Sequence, residues 1–77
     1  MDIKRGWYKH YKGNFYLVKG IALHTETQEK MIVYWDSDHK QMFVRPYKMF
    51  FENIEIGGVY IPRFQYEGEV IYQEVKI

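Results

Sequence analysis

The stretch FYLVKGIALHT (residues 15–25) decides the fold of this chain. It is the longest β-prone run present, and its period-2 reading puts Phe15, Leu17, Ile21 and Leu23 on one side and Tyr16, Val18, Ala22 and His24 on the other. Both sides are apolar for part of the length. A strand of an antiparallel sheet that faces water alternates apolar with polar; one that is apolar on both sides is covered on both, as in a small closed barrel. Gly20 interrupts the run and predicts a bulge or bend, which a long strand needs to turn a barrel corner. At LHTET (23–27) the run abruptly becomes polar.

Working outward, the neighbouring segments are short and β-like. Upstream, GWYKHY (6–11) is followed by KGN (12–14), where Gly13 and Asn14 tolerate positive φ and predict a tight turn. Downstream, the polar turn ETQEK (26–30) leads into the strand MIVYWD (31–36), and SDHK (37–40) into QMFVR (41–45), which Pro46 ends. PYKMFFEN (46–53) is the one stretch with helical spacing, with Tyr47, Phe50 and Phe51 at i, i+3 and i+4 and Pro46 suited to the first helical position. Its length predicts a single turn. IEI (54–56), GG (57–58) and VYIPRF (59–64) read as a hairpin with a two-residue loop. The segment VIYQEVKI (70–77) is β-prone, but nothing fixes its register. The expected fold is therefore mainly β: a small SH3-like barrel of about five strands with one short helical turn. An OB-type barrel calls for a longer helix between its strands than this chain offers.

With 77 residues the chain reads as one domain, residues 1–77, with a thin core. Hydrophobic residues make up 47% and aromatics 19%, including eight tyrosines, too many for a disordered chain and well suited to cross-strand ring packing. There is no cysteine, which excludes disulfides and thiolate zinc sites and fits a reducing cytoplasm. The beginning, MDIKRGWYKHY, lacks the apolar core of a signal peptide, and no apolar run reaches the roughly 20 residues that span a bilayer. Cytoplasmic location and no membrane partner are the expectations. A net charge of +1 disfavours a non-specific nucleic-acid binder, whose affinity rests on many phosphate contacts, so nucleic acid is the less favoured partner.

Seven blocks, in order, match a known family: HYKG (10–13), Tyr16-x-Val18, ALHTET (22–27), IVY (32–34), VRP (44–46), MF (49–50) and PRF (62–64). On these the chain resembles the short bacterial proteins of domain-of-unknown-function family 1653 over roughly residues 6–66. The resemblance implies an autonomous bacterial cytoplasmic domain whose pattern includes His10, Lys12, His24, Glu26, Arg45 and Arg63. It implies no particular activity, since none is assigned to the family. The tail 67–77 lies outside it, and the turn Asp36–Gln41 lacks a glycine expected in relatives.

Three groups of residues carry candidate chemistry. If the long strand continues to residue 26, His24 and Glu26 share a face, and a carboxylate beside an imidazole is an acid–base arrangement. The competing reading makes HTET a strand end whose polar side chains satisfy turn N–H groups. Arg45 and Arg63, if they meet, form an anion clamp; otherwise they pair with Glu26, Glu52 or Glu67, or lay their stems over rings. WYKHYKG (7–13) interleaves Tyr8 and Tyr11 with Lys9 and Lys12, as a base-stacking or cation-caging surface would, although strand packing explains it equally. His10, His24 and His39 lack metal-ligand spacing, so neither a metal nor a cofactor is expected.

These residues support a binding module first. Its aromatic groove would draw on Tyr8, Tyr11, Tyr34, Trp35 and Phe43, flanked by His10, Lys12, His24, Glu26, Arg45 and Arg63, and its ligand would be a peptide, a partner protein or a small anion. A small hydrolase-like enzyme is the alternative, with His24 as base, Glu26 orienting it and Arg45 and Arg63 holding the anion. A third reading is a structural domain that self-associates weakly through its tail.

Overall fold

A computed structural model describes residues 3–69. They form seven strands and one helical turn: β1 (Gly6–His10), β2 (Phe15–Leu23), β3 (Lys30–Asp36), β4 (Met42–Pro46), α1 (Tyr47–Phe50), β5 (Asn53–Ile56), β6 (Val59–Pro62) and β7 (Phe64–Gly68). The protein is mainly β, as its composition predicts. All pairings are antiparallel, in a five-stranded sheet of order β4-β3-β2-β1-β7 and a separate β5-β6 hairpin.

Two features differ from the expected closed five-stranded barrel. Among the described residues the large sheet is open, with β4 and β7 as its edges. The run VYIPRF is also not one strand: it breaks at Arg63, so β6 belongs to the hairpin and β7 to the large sheet. The cause is local. Pro62 has no N–H to continue a ladder, and the next residue turns its backbone both ways. The Arg63 N–H donates to the Glu52 carbonyl at 3.0 Å, while its own carbonyl accepts the Tyr11 N–H at 3.0 Å. One residue thus carries the chain from the small sheet to the large one. The tail boundary shifts too: Glu67 and Gly68 belong to β7, Gly68 pairing with Trp7 of β1 and Glu67 standing at the register shift, while VIYQEVKI and the self-association assigned to it lie outside the described residues.

Gly20 marks the bulge that it predicts. The β2–β3 register passes from Val18↔Tyr34 to Gly20↔Val33, leaving Lys19 as the extra residue. The turn after β3 manages without a glycine because His39 itself takes φ +57°, a left-handed conformation that histidine adopts more readily than most residues. The Asp36 carboxylate fixes this turn by accepting the Lys40 N–H at 2.8 Å. His39 also explains part of the two-faced apolarity. The outward row Trp7↔Leu17↔Trp35↔Met42 crosses four strands, and the His39 ring lies against both Trp7 and Trp35, at 6.0 and 6.1 Å between centroids.

The inward face forms the core: Tyr8, Val18, Ile32, Tyr34, Phe50 and Phe64. Helix α1 brings the fully buried Phe50 beneath the large sheet, where it stacks on Phe64 with centroids 4.0 Å apart and planes within 3°. Pro46 ends β4 but stands one residue before the helix, with φ −52° and ψ 139°, instead of at its first position. Tyr8 and Tyr34, expected in an aromatic groove, are only 3% and 5% exposed and belong to this core. Each ring removes apolar surface from water, and each well-oriented aromatic pair adds about 0.5–1.5 kcal/mol.

Candidate functional site

Phe64 occupies the first position of β7, immediately after the crossover, and besides Phe50 of α1 four other strands bring a side chain to its ring. His10, at the end of β1, meets it edge-on at 4.8 Å; Tyr16 of β2 and Tyr34 of β3 do so at 5.8 and 5.7 Å. The Arg45 guanidinium, from β4, lies 5.6 Å from the same ring centroid, within the range of a cation–π contact. Arg45 is held there by register: paired with Ile32, it faces inward at the edge of the core. Its Nε approaches the Tyr34 hydroxyl at 3.4 Å, and among the described residues it forms no ion pair.

Arg63 sits beside this group and is already committed. Its guanidinium pairs with the Glu52 carboxylate at 2.5 Å, while its Nε is buried and lacks a partner among the described residues. Of the alternatives open for the two arginines, the structure shows the Glu52 pair for Arg63 and ring coverage for Arg45. An ion pair this accessible contributes about 0–1 kcal/mol, so its larger role is to orient Arg63 and neutralise part of its charge.

His10 is positioned by the turn that follows it. Its carbonyl accepts the Gly13 N–H at 2.7 Å, its N–H donates to the Asn14 carbonyl at 2.8 Å, and Gly13 takes φ +110°. The imidazole Nδ1 accepts the Lys12 N–H at 3.2 Å, so the ring proton resides on Nε2 in the neutral form. Burial lowers the His10 pKa below its ordinary 6.5, and the charges of Arg45, Arg63 and Lys12 lower it further. Tyr11 lies against the His10 ring at 4.5 Å and is partly exposed, with the Lys12 ammonium 5.7 Å from its own ring.

His24 and Glu26 lie elsewhere. Strand β2 stops at Leu23, so the two share no strand face. The His24 Nδ1 accepts the N–H groups of Glu26 and Thr27 at 3.2 and 3.3 Å, its N–H donates to the Glu29 carbonyl, and Thr27 Oγ1 accepts the Glu29 N–H. The imidazole thus caps the β2–β3 turn, and no hydrogen bond joins it to the Glu26 carboxylate among the described residues. Of the six polar residues assigned to the site from sequence, His10, Lys12, Arg45 and Arg63 come together and His24 and Glu26 do not. Tyr11 joins them; Tyr34 does so from within the core, through its hydroxyl toward Arg45 and its ring against Phe64.

Phe64, Tyr16 and Glu52 complete the site and were not assigned to it from sequence. Tyr16 and Phe64 stood inside quoted family blocks, and Glu52 among the proposed arginine partners, but only the crossover at Arg63 makes them neighbours. The site is a cationic strand-end cluster floored by aromatic rings, on a small two-sheet β domain. The chain belongs to the family described as "Protein of unknown function (DUF1653)", whose model matches residues 6–66. It is similar to a crystal structure of a DUF1653 protein from Bordetella bronchiseptica, at 35% identity and TM-score 0.83, over 94% of this chain and 96% of that one. No curated protein matches the chain.

Proposed function

We propose that this chain is a non-enzymatic binding module of bacterial cytoplasm, built on an SH3-like barrel, and that it takes an anionic ligand at His10, Lys12 and Arg45 beside Arg63. The barrel reading is supported by a four-strand meander, a helical turn after β4 and a last strand that returns to pair with the first. The ligand reading rests on one observation. Arg45 sits at the edge of the core against Phe64, without an ion pair among the described residues, while His10 is held toward its neutral form by burial and then by the surrounding positive charge. Such a cluster attracts an anion that supplies the missing counter-charge and accepts from the guanidinium fork. The acid–base alternative at His24 and Glu26 draws no support from a ring used to cap a turn.

Inorganic phosphate and glutarate, titrated separately into 15N-labelled protein, test this reading through the Arg45 Nε–H signal and the His10 ring. The expected result is saturable movement of both with a Kd at or below about 1 mM, together with a rise of the His10 pKa on saturation. Arg45→Met keeps an apolar stem over Phe64 and is expected to abolish the response of the His10 ring. If both signals ignore both anions, the proposal fails.

A further inference from the structure

The cluster does not end at a flat surface. A cleft of about 260 Å³ begins at His10 and Tyr11 and is walled by Ile61, Pro62 and Gln65. A second cleft of about 360 Å³, lined by Lys4, Tyr47, Phe51 and Tyr66, shares Pro62 and Gln65 with the first. The two clefts adjoin at these shared residues, beside the crossover between the sheets, and together offer a groove. Resting on the anion-binding reading above, we infer that the ligand of this site is an acidic peptide segment in extended conformation, whose carboxylate side chain is held at Arg45 and His10 and whose backbone runs along the groove past Gln65.

The chemistry of the lining selects this occupant. Ile61 and Pro62 offer apolar edges, and the exposed Gln65 side chain carries one acceptor and two donor positions, the pairing that peptide groups need. Lys9 and Lys4 stand along the groove, with the Lys4 ammonium 5.2 Å from the Tyr66 ring centroid. Positive charge thus continues beyond the first anchor and complements a segment rich in acidic residues. Glu52 already neutralises Arg63, which leaves Arg45 and Lys12 to supply the attraction for the anchoring anion. A net charge of +1 also suits one or two carboxylates better than a polyanion.

Capped hexapeptide pools with a fixed central Glu and randomised flanks, matched pools with Gln in its place, and free glutarate are titrated into the 15N-labelled protein. The expected result is that Glu pools move the Arg45 Nε–H signal together with the Gln65 side-chain amide and the Tyr11 and Ile61 backbone amides. Their apparent Kd is expected to be at least about tenfold below that of glutarate, a difference of roughly 1.4 kcal/mol, with Gln pools weaker by a similar factor. Ile61→Ser is expected to weaken the peptides several-fold and leave glutarate unchanged. If Glu pools move only Arg45 and His10, as glutarate does, the site takes small anions: the peptide inference is overturned while the anion-binding reading stands. If glutarate, phosphate and every pool leave the spectrum unchanged, both are overturned.

Discussion

Two histidines use the same atom for the same purpose, and only their surroundings separate them. His10 and His24 each accept turn N–H groups at Nδ1, but His10 is also packed against Phe64 and surrounded by positive charge. Because folding lowers the His10 pKa, the unfolded chain binds the extra proton more readily. The resulting penalty is absent above the ordinary value of 6.5 and grows as pH falls below it toward the folded-state value. His10→Asn keeps an acceptor for the Lys12 N–H and removes the titration. Its melting temperature is therefore expected to fall less between pH 7.5 and 5.5 than that of the parent, by calorimetry at both values; an equal fall would remove His10 as the cause. At His24 the test separates capping from catalysis. His24→Ala is expected to cost about 0.5–1 kcal/mol, as for a lost cap, and His24→Asn much less, measured by urea denaturation.

Individual elements depend on a few close approaches. Gly6 lies where an added Cβ would meet the Gly68 carbonyl oxygen at 2.6 Å, and its φ of +135° suits glycine alone. Gly6→Ala is therefore expected to break the end of the β1–β7 ladder and to speed amide exchange at Tyr66 and Gly68 well before it affects β3. Phe50→Ala empties the centre of the aromatic stack and is expected to cost about 3–5 kcal/mol, a large part of the stability of so small a domain, as unfolding by denaturant would show. Most of this element structure was legible in the sequence. Val18, Ile32 and Tyr34 stood at strand positions, Gly20 marked the bulge, and Gly57-Gly58 closed the hairpin with φ +57° and +83°. Partnership between distant elements was not legible. Period-2 spacing places His24 and Glu26 on one face only if the strand reaches residue 26, and the strand ends at Leu23 because His24 folds back to cap the turn. The spacing of Pro62 and Phe64 likewise carries no sign that Arg63 between them bonds to two sheets, and the site depends on that crossover.

At the scale of the whole molecule, the β5–β6 hairpin is an insert between α1 and the strand that completes the large sheet. Its ends, Asn53 and Pro62, are paired partners, so an antiparallel separation of about 4.5–5.5 Å is all that a replacement must span. Replacing residues 54–61 by Asn-Gly is expected to leave the amide spectrum of β1–β4 recognisable and to cost about 2 kcal/mol from the two half-buried isoleucines, Ile54 and Ile61. The shortened protein is expected to respond to glutarate but no longer to distinguish peptides from it; loss of the glutarate response would show that the hairpin holds Arg45 and His10 in place. The Arg63 crossover has a further consequence, for how such a domain diversifies. Because a single residue joins the hairpin to the main sheet, descent can lengthen, shorten or rewrite the hairpin without renegotiating the rest of the architecture. On the proposed reading, the anion anchor in the main sheet and the peptide preference set beside the hairpin are then free to change at different rates in different lineages.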